Sequence, residues 1–118
     1  MATSTWYGVA DGAAQTRLAA AWPDAPIENL ETLGFLLSTA RDQVLADAPA
    51  PVGTQNWDTA PLDRYVYAQL QQAINLWNAG RVTSDGTLGD GAFVFTPRPL
   101  DKTIRSIIRP RDSKPHVL

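Results

Sequence analysis

The sequence predicts a mainly α-helical protein with a single domain. The chain has 118 residues, the usual length of one domain. Apolar residues recur at intervals of three and four in two long segments, and proline or glycine follows each of them. The expected architecture is a small four-helix bundle of three core helices and a short C-terminal helix. This domain covers residues 1–110, with a loop and short β segment at about 81–97, and residues 111–118 form an extended tail.

The first predicted helix covers residues 11–22, DGAAQTRLAAAW. Alanine has the highest helix propensity of all residues, and Asp11 is a suitable N-cap. Leu18 and Trp22 are four residues apart, which places them on one face of this helix. Pro23 then ends it.

The second predicted helix runs from about residue 27 to residue 46. Its apolar stripe consists of Leu30, Leu33, Leu37, Ala40 and Val44. Phe35, Leu36 and Leu45 widen the stripe beyond one face, so we expect this helix to contact neighbours on two sides. The segment 48–53, APAPVG, ends the helix because its prolines cannot continue the hydrogen-bond ladder.

The third predicted helix runs from about residue 61 to residue 79. Pro61 suits the first helical turn, where its missing N–H has no partner to lose. The apolar face consists of Leu62, Val66, Leu70, Ala73 and Trp77, with Tyr65, Tyr67 and Ile74 at its flanks. The run Asn-Ala-Gly at 78–80 predicts the end of the helix, with Gly80 at the C′ position.

The last third of the chain has short elements. Residues 80–91 contain four glycines among polar residues and predict a loop. Residues 92–96, AFVFT, predict a short strand, which needs a pairing partner that another chain can supply. A last helix is expected from Leu100 to Ile108 and is ended by Pro110. The face that Leu100, Ile104, Ile107 and Ile108 share is apolar.

Charge is distributed unevenly along the chain. Residues 1–97 carry four basic and ten acidic side chains, a net charge of −6. Residues 98–118 carry six basic and two acidic side chains, a net charge of +4. This contrast favours an electrostatic partner for the C-terminal region. The alternative interpretation is a basic end that only increases solubility.

The residues that enzymes and metal sites need do not converge in this sequence. There is no cysteine, and the single histidine, His116, stands in the predicted tail. The loop from Asp85 to Gly91 resembles a calcium loop superficially, but it lacks the alternating ligands and the terminal glutamate. Its glycines are not followed by the lysine and serine or threonine of a phosphate-binding loop. The sequence therefore predicts no enzymatic activity, no metal and no cofactor.

Nucleic-acid binding is the main alternative that the charge pattern raises. Lys102, Arg105 and Arg109 recur at intervals of three and four residues, so they can follow a row of phosphates along one helix face. Duplex-binding domains normally carry a net positive charge, whereas this chain has a net charge of −2 and a pI near 5.1. A small helical DNA-binding protein remains an alternative.

The chain contains four tryptophans. Trp22 and Trp77 belong to helical apolar patterns and are expected in the core. Trp6 and Trp57 lie in predicted irregular segments, where a large aromatic side chain either covers the edge of a core or anchors an interface. The sequence leaves these two alternatives open.

A helical core, a predicted unpaired strand and a basic C-terminal region together indicate an assembly protein. Unpaired strands recruit partners by edge addition, and a basic tail fits an acidic groove on another protein. The N-terminus lacks the features of a secretory signal, and no apolar run approaches the roughly 20 residues that span a bilayer. We therefore expect a protein that stays in the cytoplasm of the cell that makes it and has no membrane partner.

Several short blocks, in this order and spacing, resemble the head-to-tail adaptor (connector) proteins of long-tailed double-stranded DNA bacteriophages, particularly those of actinobacterial hosts. The resemblance covers about residues 20–118. The similar blocks are WPDAP at 22–26, LETL at 30–33, ARDQVLADAP at 40–49, YAQLQQAINLWNA at 67–79, GDG at 89–91 and PLDKTIRSIIRPR at 99–111.

The resemblance implies a structural protein of the virion neck that forms a ring, commonly of twelve copies, beneath the portal. The ring would contact the portal protein on one side and the stopper or another neck protein on the other. Genomic DNA would pass through its channel without sequence-specific binding. The portal-binding residues implied are Arg105, Ile108, Arg109, Pro110, Arg111, Lys114, Pro115, His116, Val117 and Leu118. Subunit-interface or channel residues implied are Thr83, Asp85, Leu88, Asp90, Phe93, Val94 and Phe95.

Another neck protein of the same particle, the stopper or the tail terminator, is the first alternative to the adaptor. Those proteins are usually richer in strands, so their secondary structure distinguishes them from a helical adaptor.

Overall fold

The computed structural model describes residues 5–81 and 97–109. In these ranges the chain forms four α-helices and no β-strand, which confirms the predicted mainly helical fold. The helices are α1 (Gly12–Ala21), α2 (Leu30–Asp47), α3 (Asp63–Arg81) and α4 (Lys102–Ile108). The predicted strand at 92–96, the predicted tail at 111–118 and nearly all of the predicted glycine loop lie outside the described residues.

Helix α1 is capped as the sequence predicts. Asp11 has extended backbone angles, and its Oδ1 accepts a hydrogen bond from the Ala14 N–H at 2.8 Å. Leu18 is fully buried and Trp22 is 6% exposed, so both belong to the core. The Trp22 N–H donates to the Leu18 carbonyl and closes the last turn before Pro23.

Helix α2 begins three residues later than the sequence pattern predicts. The N–H of Ile27 donates to the Ala25 carbonyl, and the N–H of Asn29 donates to the Pro26 carbonyl. These turn hydrogen bonds hold the segment outside the helix, so the first helical residue is Leu30. The helix ends at Asp47, and Ala48 is extended because the proline that follows it disfavours helical angles.

Leu36 and Leu45 widen the apolar stripe of α2 as expected, because Leu36 is in the first cluster and Leu45 packs against the second, but Phe35 does not. Leu33, Leu36 and Leu37 are buried, but Leu30 is 37% exposed and Phe35 is 49% exposed. The expectation that Phe35 widens the buried face was therefore wrong. Successive residues are rotated by about 100° around the helix axis, so a residue next to a buried one in the sequence can still face the solvent.

Helix α3 continues past its predicted end. Gly80 is buried and keeps helical geometry, so the helix reaches Arg81 and not Ala79. Glycine at a helix terminus is a preference that tertiary packing can override. Tyr65, expected at the flank of the apolar face, is fully buried, whereas Tyr67 is 52% exposed.

The buried side chains form two clusters along α3. The first cluster joins α1, the N-terminal half of α2 and the C-terminal half of α3, and it consists of Leu18, Trp22, Ala25, Leu33, Leu36, Leu37, Ala40, Leu70, Ala73 and Leu76. The second cluster joins the C-terminal end of α2, the start of α3 and α4, and it consists of Val44, Trp57, Tyr65, Ala68, Ile104 and Ile108. Helix α3 is the element that contributes substantially to both.

Gln69, a buried glutamine of α3, holds the N-terminal segment (residues 5–9) against the helices. Its Oε1 accepts from the Tyr7 N–H at 2.8 Å, and its Nε2 donates to the Tyr7 carbonyl at 3.1 Å. The same Nε2 is 3.1 Å from the Leu37 carbonyl. The Gln69 side chain, which is 1% exposed, thus pairs with Tyr7 as a neighbouring strand would.

Candidate interaction surface around α4

The segment before α4 is fixed by two glutamines. The Arg98 carbonyl accepts from Gln72 Nε2 at 3.0 Å and from Gln43 Nε2 at 2.8 Å. Gln72 Nε2 also donates to Gln43 Oε1 at 2.9 Å, which links α3 to α2. Gln72 is fully buried, and these exposed to partly buried hydrogen bonds from its side chain and from Gln43 specify where the chain enters α4.

Helix α4 has a side-chain cap that also contacts α3. Asp101 Oδ1 accepts from the Ile104 N–H at 2.8 Å, and Asp101 Oδ2 lies 3.3 Å from Asn75 Nδ2. A helix of seven residues is too short to be stable alone, so it depends on this cap and on its packing.

The apolar face of α4 packs inward onto the second cluster. Ile104 is 2% exposed and Ile108 is fully buried, whereas Leu100 and Ile107 are half-buried at the cluster margin. Ile108, one of the residues expected to contact a portal, has no accessible surface in this conformation. Its side chain holds α4 in place and supports the surface without forming part of it.

The C-terminal end of α2 receives two arginines from α4. Arg109 Nε donates to the Asp47 main-chain carbonyl at 2.6 Å, and an Arg105 terminal nitrogen is 3.6 Å from Asp47 Oδ1. Cations are favourable at this position because the last carbonyls of a helix carry partial negative charge. Arg64 of α3 adds a long hydrogen bond of 3.5 Å from Nε to the Ile108 carbonyl. These contacts fix the end of α4 relative to α2 and α3.

An open groove of about 950 Å³ runs along α4 and the C-terminal end of α2. The described side chains that line it, which are those counted for its charge, are Asp47, Leu100, Lys102, Arg105, Ser106 and Arg109. Three cations and one carboxylate give this lining a net charge of +2. The groove, which we call the cationic groove, is the most basic surface formed by the described residues around α4.

The structure places the predicted partner-binding residues as follows. Arg105 and Arg109 are exposed and line the cationic groove, and Ile108 is in the core. Outside the described residues are Pro110, Arg111, Lys114, Pro115, His116, Val117 and Leu118. The predicted loop and strand residues Thr83, Asp85, Leu88, Asp90, Phe93, Val94 and Phe95 are also outside them.

Sequence reasoning missed the residues that orient α4. Gln43 and Asp47 were not recognised, although they follow one another at helical spacing on α2. Gln72 was not recognised either, but it lies seven residues after Tyr65, which places both on the same buried side of α3. A polar residue at an apolar position of a stripe was the available signal. No pattern in the sequence indicated that Gln72 donates a hydrogen bond to the Arg98 main-chain carbonyl.

The two tryptophans left open by the sequence both belong to the second cluster, Trp57 as a buried member and Trp6 at its margin. Trp57 is 8% exposed, packs edge-on against Tyr65 at 5.2 Å and donates from Nε1 to the Pro49 carbonyl at 2.8 Å. Trp6 is half-buried and donates from Nε1 to the Trp57 carbonyl at 2.9 Å. Trp22, which the pattern assigned to the core, is buried, and Trp77 is partly buried against the first cluster.

Arg17 and Arg41 contact the N-terminal segment through their guanidinium groups. The Arg17 guanidinium lies 4.1 Å from the Tyr7 ring centroid and donates to the carbonyls of Thr5 and Trp6. The Arg41 guanidinium lies 5.6 Å from the Trp6 ring and forms an ion pair with Asp58. Two of the four arginines in the first 97 residues are therefore engaged in intramolecular contacts with this segment.

Two further properties concern only the part of the chain that the structure describes. No group of three or more histidine, cysteine, aspartate or glutamate side chains is close enough there to hold a metal ion. None of its helices combines the length and the apolar character that crossing a membrane requires.

Comparison of the chain with protein-family models, with curated proteins and with solved structures gives no match.

Proposed function

We propose that this protein is a structural head-to-tail adaptor of a tailed phage, which forms a ring beneath the portal and joins the capsid to the tail. The proposal starts from the ordered blocks of sequence that resemble such adaptors. In this function the protein performs no chemistry. It binds copies of itself, the portal and the next neck protein, and its ring lines the channel for the genome.

The observation that carries the proposal is that the resembling blocks are neighbours in space. The block at 40–49 forms the end of α2, the block at 67–79 forms most of α3, and the block beginning at 99 forms α4. The first two blocks meet through the hydrogen bond between Gln43 and Gln72. The third block meets the first through the contacts of Asp47 with Arg105 and Arg109. A resemblance that converges on one packed unit is more informative than the same number of scattered matches.

The charge distribution is consistent with a channel protein. Residues 1–97 have a net charge of −6, and a wall of this sign does not retain the phosphates of passing DNA. The basic groups of α4 are gathered at one place on this acidic body, on the side of α4 that faces away from the second cluster. This arrangement favours a protein partner at α4.

The helical content favours an adaptor over the other neck proteins. Stoppers and terminators are usually rich in strands, whereas residues 5–81 and 97–109 contain helices and no strand. A DNA-binding function is less favoured, because residues 1–97 are acidic and the chain as a whole has a net charge of −2.

The deciding experiment is to mix the purified chain with the portal ring of the same virus and to determine the mass of the product. We expect stable co-migration at about one adaptor per portal subunit. A chain truncated after Arg109 should bind the portal more weakly, because it lacks the implied portal contacts that follow Arg109 in the sequence, from Pro110 to Leu118. Truncation at this position is preferable to truncation after Ile108, because it keeps the hydrogen bond between Arg109 and Asp47.

Circular dichroism and thermal unfolding of the truncated chain are the controls for folding. The truncated chain should keep the helical content of the full chain, since it retains all the described residues of the two clusters. If the full chain does not bind the portal ring, the adaptor function is refuted. If the folded, truncated chain binds as well as the full chain, the portal contact lies elsewhere on the protein.

A further inference from the structure

We propose that the cationic groove binds an acidic segment of the portal, with Lys102 as the principal contact and Arg105 and Arg109 beside it. The identity of the partner rests on the proposed function. The chemistry of the segment, at least two carboxylates next to an apolar side chain, rests on the groove itself.

The three cations form a stripe along one face of α4. Lys102 and Arg109 are seven residues apart, so about 10 Å of helix axis separates them, and Arg105 lies between them. All three side chains are exposed, whereas Ile104 and Ile108 on the opposite face are buried. Because that face is anchored in the second cluster, the stripe has a fixed orientation relative to α2.

The positive charge of the stripe is only partly neutralised by the described residues. The Lys102 ammonium makes no ion pair or hydrogen bond with another described side chain. The Arg105 side chain is 64% exposed, and its distance to Asp47 Oδ1 is 3.6 Å, which is long for a charge-assisted hydrogen bond. Arg109 contacts Asp47 through Nε, which leaves its terminal nitrogens for an incoming carboxylate. The lining therefore retains a net charge of +2.

Asp47 also orients the two arginines before any partner arrives. Its main-chain carbonyl and its carboxylate are held at the end of α2, and its side chain is 18% exposed. Arginines whose side chains are already ordered lose less conformational entropy on binding, so each new hydrogen bond to a carboxylate adds more to the affinity. The half-buried Leu100 provides an apolar surface beside the charges.

An acidic protein segment fits this groove better than a nucleic acid does. DNA binding gains affinity from many phosphate contacts, whereas this groove offers a net charge of +2 on an acidic body. The carboxylate of Asp47 lies inside the groove and would oppose a phosphodiester backbone. A peptide needs only two carboxylates, one for Lys102 and one for the arginines, whereas a nucleic acid presents a continuous row of phosphates, some of which would lie near Asp47.

The test compares two substitutions that change the net charge of α4 by the same amount. Lys102→Gln removes one positive charge inside the groove, and Thr103→Glu adds one negative charge at an exposed neighbouring position that does not line it. Both variants are made in the full chain, and their affinity for the portal ring is measured at 50 mM and 500 mM NaCl. We expect Lys102→Gln to weaken binding about threefold to tenfold at low salt and Thr103→Glu to weaken it less than about twofold.

Two further results are expected if the groove is the site. Lys102→Glu should weaken binding more than Lys102→Gln, because it places a negative charge opposite the acidic segment. Raising the salt concentration should weaken the wild-type complex and reduce the difference between wild type and Lys102→Gln, since screening acts on the same contact.

The outcomes separate this inference from the function on which it rests. If the wild type binds the portal and Lys102→Gln and Lys102→Glu bind equally well, the acidic-segment site is wrong and the adaptor function stands. If the wild type does not bind the portal ring, the adaptor function is refuted and the inference with it. A 20-base-pair duplex provides the last arm: duplex binding at 150 mM NaCl that Lys102→Gln weakens would assign the groove to nucleic acid and overturn the proposal.

Discussion

The two buried clusters of this protein are held together in different ways. The first cluster consists of aliphatic side chains and Trp22, from helices whose stripes are continuous in the sequence. The second cluster combines residues from α2, α3 and α4 with Trp57, which belongs to the connection between α2 and α3. Polar contacts surround this second cluster, from Asp101 at the start of α4 to Arg109 at its end. The first cluster thus depends mainly on burial, with the Gln69 hydrogen bonds at one side, whereas the second depends on burial together with hydrogen bonds along the whole of α4.

This difference has a consequence for stability and for assembly. Removing a side chain from the first cluster affects α1, α2 and α3 at once, so the whole fold should weaken. Helix α4 is short and attaches through two isoleucines, so it can separate locally at a lower free energy than global unfolding. The proposed partner surface thus lies on the element with the lower local stability.

The largest effect is expected from Leu36→Ala in the first cluster. Leu36 is fully buried, so the substitution should lower the free energy of unfolding by about 3–5 kcal/mol. Denaturant titration followed by circular dichroism measures it. Phe35→Ala is the matched control on the same helix, and because Phe35 is 49% exposed it should cost about 1 kcal/mol or less. Equal losses for the two variants would contradict the assignment of the buried face.

Ile108→Ala should break the second cluster with less effect on the first. We expect a loss of about 2–4 kcal/mol in the stability of the docked α4, because the substitution leaves a cavity beside Tyr65 and Val44. Hydrogen exchange should show faster exchange in α4 while the amides of the first cluster keep their protection. The neighbouring half-buried Ile107, changed to alanine, is the control and should have a clearly smaller effect. Uniform acceleration across α1 to α4 would show that the two clusters unfold together.

Gln69→Leu tests the polar contact between the first cluster and the N-terminal segment. Leucine has nearly the same volume but leaves the Tyr7 N–H and carbonyl without their partners, which should cost about 1–3 kcal/mol. Denaturant titration measures the total change in the free energy of unfolding, and hydrogen exchange of the Tyr7 amide reports the local effect. Gln71→Leu, at a half-buried position two residues along α3, controls for the change in residue type. A Tyr7 amide that remains protected in Gln69→Leu would exclude the proposed role of this side chain.

Asp47→Asn should have the smallest effect. It removes the charge that faces Arg105 but leaves the Asp47 carbonyl that accepts from Arg109. Because the Arg105 side chain is 64% exposed, we expect a loss below about 1 kcal/mol that disappears in 1 M NaCl. The exposed Asp42→Asn on the same helix is the charge-matched control. A loss above 2 kcal/mol that salt does not reduce would show that Asp47 has a structural role beyond this ion pair.

The sequence by itself determined the helices and the first cluster. Leu33, Leu37 and Ala40 recur at the helical period, and Asp11 stands where an N-cap is needed, so local rules were sufficient. Element ends were less accurate at the start of α2 and the end of α3. At the start of α2, turn hydrogen bonds hold Ile27 outside the helix. At the end of α3, Gly80 is buried and stays helical. Apolar periodicity indicates neither effect.

Only the tertiary structure decided the arrangement around α4. The sequence indicated a short basic helix with an apolar face, but it did not show that Ile108 is fully buried or that Asp47 receives Arg105 and Arg109. It also did not show that Gln72 fixes the Arg98 carbonyl, across 26 positions of the chain. The physical reason is that helical periodicity reflects which side of a helix is apolar, whereas a hydrogen bond between distant segments depends on where the folded chain brings them together.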